Sequence, residues 1–252
     1  DYGTVQAYSV EFYGGGLSFS YGLSNYTNNP VVLLENVQVL DNAVKTRARG
    51  NTIAYGGGID FQGSQNGYTS DAARLLNVTV RGNQANSGGG IYGSFHWAKN
   101  LTVTENTAVS GNGGGWHTGY ASSGYAQRQV IVEDSVFTKN TANNGGGIYL
   151  TYVSMDGYTY TITESAPGKT KIQDNTASSY GGGVYVSPSS TKNLYYFDFT
   201  SEWNNTVTDN DPNTCGQNLY VNYLYNAVVY LLQGTFLGTD SIRILHTTGN
   251  YN

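Results

Sequence analysis

Charge is what this chain has least of. Asp, Glu, Lys and Arg make up 12% of its 252 residues, about half the usual share. Its 12 basic residues face 17 acidic ones, for a formal net charge of -5, and they form no cluster. Nucleic acid and anionic membrane surfaces are thereby excluded as partners, because both require concentrated positive charge. A single cysteine, Cys215, leaves no internal disulfide to form and reads as a small buried residue. No apolar run approaches the roughly 18–20 residues of a membrane-spanning helix, so membrane insertion by helix is not expected. No i, i+3, i+4 apolar stripe is present, and repeated Gly-Gly-Gly triplets, at about 1 kcal/mol per glycine, argue against helix altogether. The chain opens at Asp1 directly on patterned sequence, as a mature chain or a segment of a longer one would.

What is abundant is glycine, with 34 residues, and tyrosine, with 23. Both are placed periodically. A hydrophobic residue stands three before an Asn, an Ala often two after it, and a glycine triplet follows with an aliphatic–aromatic pair. Phe137 to Leu150, FTKNTANNGGGIYL, is the clearest copy. The key asparagines are Asn42, Asn83, Asn106, Asn140, Asn175 and Asn210, spaced by about 23 to 41 residues. Constant motifs with variable spacing are the mark of a solenoid, whose rungs must match while insertions collect in loops.

Within each unit the residues three and five before the Asn are apolar or small, as with Val80 and Val78, or Phe137 and Ser135. Strands alternate faces with period two, so these point inward and their neighbours outward. Each unit then offers at least two strands, joined by an Asn turn and a glycine turn. Stacked at about 4.8 Å, the asparagines form a side-chain amide ladder. The expected fold is all-β: a right-handed, single-stranded parallel β-helix of pectate-lyase-like architecture, with about seven to nine rungs. It takes residues 1–252 as one domain, with a repeat core over about 37–221.

The paired motifs Phe137-Thr-Lys-Asn140 and Gly145-Gly-Gly-Ile148 resemble the repeats of the chlamydial polymorphic outer membrane proteins. Six copies in register over about 37–221 carry the resemblance, and Cys215-Gly-Gln-Asn-Leu-Tyr is similar to the way such arrays end. The resemblance implies a β-helix displayed at a cell surface, with a role in adhesion. The chain departs from that family in having no C-terminal membrane-barrel pattern.

Candidate sites follow from the outward slots. The position after the glycines reads Asp60, Tyr92, His117, Tyr149, Tyr185, Tyr220. Tyr92, Tyr149, Tyr185 and Tyr220 form an outward column that is either a structural ladder or a glycan platform. Asp60 and His117 stand two rungs apart, roughly 9–10 Å, too far for a hydrogen-bonded catalytic pair. Asp209-Asn-Asp211-Pro-Asn213 lacks the frame of a calcium loop and reads as a turn. Glu35, Asp41, Glu105, Glu133, Asp134, Lys139 and Asp174 fall on outward, solvated slots. No G-x-S-x-G, H-E-x-x-H or P-loop spacing exists, so no catalytic residue, metal or cofactor is expected.

Four glycosylation sequons begin at Asn25, Asn77, Asn100 and Asn204. The last three each sit six before their ladder Asn, in one outward slot. Neither end of the chain reads as an amphipathic cap, so each is expected to leave an open rung edge suited to self-association, head to tail, as a filament or adhesin stalk. The leading expectation is thus a non-enzymatic extracellular or cell-surface structural protein. Its alternative is a β-helix that binds or cleaves polysaccharide.

Overall fold

The computed structural model describes residues 11–19, 32–44, 53–61, 73–119, 129–151, 158–188, 193–208, 215–224, 227–238 and 241–246. Every strand pairing among them is parallel, and partners lie about one repeat apart in sequence. The largest sheet has eight strands, from Leu17–Ser18 through Ile91–Tyr92, Trp116–His117, Ile148–Leu150 and Val184–Val186 to Ile242–His246. A seven-stranded sheet runs from Val32–Glu35 to Val228–Leu231, and two five-stranded and two two-stranded sheets make up the rest among the described residues. The chain is a right-handed parallel β-helix.

One rung illustrates the build. It consists of Gln129–Glu133, Val136–Thr138, Thr141–Asn144 and Ile148–Leu150, four short strands where the sequence motifs alone indicate two. The extra corners arise from residues in the left-handed region. Asp134, at φ 50°, separates the first strand from the second, and Lys139, at φ 56°, separates the second from the third. Asp41, Glu105 and Asp174 repeat the latter corner at φ 56° to 59°, and Gly82 does so at φ 68°. The expectation that the ladder Asn makes this turn is therefore corrected. The residue before it turns, and the Asn side chain is left pointing into the wall.

Inward positions stack in columns. Val39, Val80, Val103, Phe137 and Ile172 are in direct register along one wall. Ile59, Ile91, Trp116, Ile148, Val184 and Leu219 line another, and none of these is exposed. Ser135 and Thr170 lie inward as well, and both are fully buried. Ser135 Oγ donates to the Glu133 carbonyl and Thr170 Oγ1 to the Thr163 carbonyl, which offsets the loss of water at each hydroxyl.

The three glycines of each turn have distinct duties. Gly145 takes φ 62°, a conformation that side chains disfavour. An added Cβ on Gly146 would stand 2.5 Å from the carbonyl oxygens of Gly182 and Thr176 in the next rung. One on Gly147 would lie 3.0 Å from the Asn175 amide nitrogen, so the third glycine makes room for the ladder.

Candidate functional site

Three columns of outward or polar side chains are the places where chemistry would lie. The first is the asparagine ladder. Asn106 Nδ2 donates to Asn140 Oδ1 at 3.0 Å and to the Val80 carbonyl at 2.9 Å, while the Asn106 backbone N–H also donates to Asn140 Oδ1 at 3.0 Å. Asn140 repeats the pattern onto Asn175 and the Val103 carbonyl. Each interior amide thus uses both its hydrogens and accepts twice, in sites that are fully buried at Asn106, Asn140 and Asn175. Such an amide has no capacity left for a substrate.

The ladder starts at Asn42 and passes through Asn83. Above Asn175 it continues to Asn205, whose Oδ1 accepts from Asn175 at 2.9 Å, and from there to Asn218. Asn210 lies outside the described residues. The sequence reading missed Asn205 because its rung is one residue short. The buried residue preceding it is Trp203, two positions back rather than three, whereas Val207-Thr-Asp-Asn210 fits the motif spacing. The available sequence signal was Asn205-Thr-Val207, with an apolar residue two after the Asn, and the structure pairs that Val207 with Ala177. Asn218 occupies the third-glycine slot: its carbonyl accepts from Val184, as the Gly183 carbonyl does from Ile148. There its side chain enters the ladder and ends it by donating to the Leu237 carbonyl at 2.7 Å.

The second column is the tyrosine one. Tyr92, His117, Tyr149, Tyr185 and Tyr220 stack ring on ring, with centroids 4.8, 4.8, 4.8 and 5.2 Å apart. Of the two readings, ladder or glycan platform, the stacked ladder is what the rings form, and little of it is open: Tyr92, Tyr185 and Tyr220 are only 4–8% exposed, while Tyr149 is partly exposed. The glycine corner is tight enough that a Cβ on Gly88 would fall 2.8 Å from that of Tyr92. It creases the wall, and rings from the strand before the corner close in, Tyr55 on Tyr92 at 4.4 Å and Tyr180 on Tyr220 at 4.6 Å. Burial raises the Tyr185 phenol well above its ordinary value, with the neighbouring Tyr149 and Tyr220 adding to the effect.

Within this stack Asp60, Tyr92 and His117 are successive register partners, so Tyr92 separates the acid from the imidazole. His117 is buried, and burial pushes its pKa down to about 3. Its Nδ1 accepts the Gly119 N–H at 2.9 Å. A neutral imidazole held this way is a poor general base at ordinary pH. Asp60 is buried and accepts from Ser18 Oγ. Among the described residues no group of three or more His, Cys, Asp or Glu is placed to hold a metal. The segment 209–213, Asn213 included, lies outside them.

The third column holds two of the sequons. Asn77 and Asn100 occupy left-handed corners at φ 54° and 52° and form an exposed ladder of their own. Asn100 Nδ2 donates to Asn77 Oδ1 at 2.9 Å, and Asn77 Nδ2 to Asn36 Oδ1 at 3.0 Å. Asn204 does not share this slot, because its ladder partner is Asn205. The Asp174 N–H donates to the Asn204 carbonyl, which aligns Asn204 with the corner before the ladder, and its side chain is exposed. Asn25 lies outside the described residues.

Asp134 continues the Asn77–Asn100 column and corrects the expectation of a solvated charge, its side chain being 2% exposed. Burial alone would raise its pKa. Hydrogen bonds from the Ser165 N–H at 2.7 Å and Oγ at 2.8 Å, with Lys169 and Lys99 nearby, outweigh that and hold the carboxyl below its usual range. A folded-state value below the unfolded one, near 3.9, contributes stability above that pH which is lost as pH falls through the folded value. Asp134→Asn is accordingly expected to melt below the wild type at neutral pH and to converge with it as the pH falls through the folded carboxyl's depressed value. A melting deficit independent of pH would refute this role for the carboxylate.

Residues 134–151 match the Chlamydia polymorphic membrane protein (Chlamydia_PMP) repeat. The matched segment is the rung that contains Asp134, Phe137, Asn140, the glycines 145–147 and Ile148. No curated protein and no solved structure matches the chain.

Proposed function

We propose that the chain is a non-catalytic structural β-helix of a cell surface, which extends by end-to-end stacking of rungs and presents its outer wall to the surroundings. One observation carries the reading. Inward columns that are 0–2% exposed in mid-solenoid end uncovered among the described residues: Ile244 stacks on buried Val221 yet is 44% exposed. Val229, Leu231 and Phe236 are likewise only partly buried, as are Leu17, Phe19, Val32 and Leu34 at the opposite end. Apolar rung faces of this kind, with a strand edge beside them, are templates for a further rung. The surface location draws support from the repeat match, whose family is named for membrane proteins.

A non-catalytic role agrees with the separation of Asp60 from His117 and with the saturated hydrogen bonding of the ladder. As part of the same proposal, glycan attachment falls on Asn204. The amides of Asn77 and Asn100 are engaged with each other one rung apart, and two glycans there would crowd.

The test is the state of assembly. Light scattering across concentration and negative-stain microscopy are expected to find elongated multimers of the chain. Ile244→Lys, which sets an ammonium on the uncovered end of an inner column, is expected to leave monomers with an unchanged circular dichroism spectrum. Monodisperse monomers of the wild-type chain at all concentrations would sink the proposal.

A further inference from the structure

The crease that buries the tyrosine column leaves a different face of the wall open. On the seven-stranded sheet, Leu33, Arg74, Trp97, Ile131, Thr161, Tyr196 and Tyr230 are consecutive register partners pointing outward. Trp97 is partly exposed there, while the other two tryptophans, Trp116 and Trp203, are fully buried. Arg74, Trp97 and His96 line a pocket of about 300 Å³. His96 is fixed by backbone bonds to the strands on both sides, its N–H donating to the Ala73 carbonyl and its carbonyl accepting from Ile131. Its ring Nδ1 lies 3.1 Å from the Gln129 carbonyl, which fixes the ring and leaves Nε2 as the other ring nitrogen.

Arg74 sets the chemistry. Lys99 pairs with Glu133 at 2.9 Å, and Lys169 stands 3.6 Å from Asp134, but Arg74 makes no ion pair among the described residues. Arg74 is an exposed guanidinium whose register partner is the partly exposed Trp97, in a chain of net charge -5. A guanidinium fork matches a carboxylate or sulfate. An indole stacks on the C–H face of a sugar ring, and an imidazole nitrogen meets a hydroxyl.

The geometry points to an anionic-sugar binding site formed by Arg74, His96 and Trp97, with the acid group on Arg74 and the ring against Trp97. The site is independent of end-to-end assembly, since it lies on the side of the wall, so either idea can fail alone.

The burial of Trp116 and Trp203 makes Trp97 the tryptophan open to an aqueous quencher, so acrylamide quenching reads the pocket directly. Hyaluronan tetrasaccharide carries carboxylates alone, dextran sulfate carries sulfates alone, and dextran carries neither. One or both of the charged probes are expected to reduce the quenching constant at least twofold, which also assigns the acid group, and dextran is expected to leave it unchanged. Arg74→Gln should weaken that protection at least tenfold in probe concentration. Lys171→Gln, on a different sheet, should not. Equal protection by dextran, no protection by either anionic probe at millimolar concentration, or full protection in Arg74→Gln with a native circular dichroism spectrum would each overturn the assignment.

Discussion

Asn140→Ala is expected to destabilise the protein by about 3–6 kcal/mol, read from chemical denaturation, because one truncation strips partners from several buried groups. The Asn106 N–H and Nδ2 both lose the Asn140 oxygen, and the Val103 carbonyl loses the Asn140 amide. Each orphaned buried group costs about 1–3 kcal/mol. The ladder also predicts a gradient. Asn42 is only part-buried, and its backbone N–H still donates to Asn83 Oδ1 once the side chain is gone. Asn42→Ala should therefore cost about 1 kcal/mol, the net value of an ordinary hydrogen bond. Equal losses at the two positions would mean that the amides act singly and not as a connected column.

The second large effect is at Gly146. Adding one methyl group there places carbon 2.5 Å from two backbone oxygens of the rung above, Gly182 O and Thr176 O. Neither is the end of a flexible side chain, so relief requires rungs to separate. The Gly146 N–H bond to the Gly181 carbonyl at 3.2 Å is among those lost. A cost of about 3 kcal/mol or more is expected for Gly146→Ala, at the upper end for overpacked sites. Gly168→Ala makes the control. Unlike Gly146 it has positive φ, at 79°, and an added Cβ there meets nothing within 4 Å, so only backbone strain of about 1–2 kcal/mol applies. Matching melting temperatures for the two variants would refute the close-approach argument.

The inward columns were legible in the sequence because burial imposes period two on each strand. Val80 and Val78, Val103 and Leu101, and Phe137 with Ser135 all fall where alternation puts them. The amide ladder was legible over Asn42 to Asn175 for the same reason. It escaped at Asn205 because a one-residue deletion before the corner breaks motif spacing while leaving stacking intact. Spacing is a property of the chain, whereas the ladder is a property of neighbouring rungs. The exposure of the tyrosines was not legible at all. Alternation tells which side of the strand a ring takes, but not whether that side is convex or creased, and crease depth depends on corner geometry. Asp134 escaped similarly: its partner Ser165 stands 31 residues away, in the widened corner between the first two strands of the next rung.

The asparagine column has one more property. In every step from Asn42 to Asn218 the side-chain carbonyl accepts from the preceding rung, so all the amide C=O bonds point toward the N-terminal end. Their dipoles add instead of cancelling, which gives the wall an electrical axis with a negative N-terminal pole and a positive C-terminal one. The two ends are then unlike in field as well as in shape. Opposed copies would bring like poles together, whereas copies aligned in one direction continue the same chain of amides. Under the end-to-end stacking proposed above, a filament would for that reason be polar, with every copy running in the same direction.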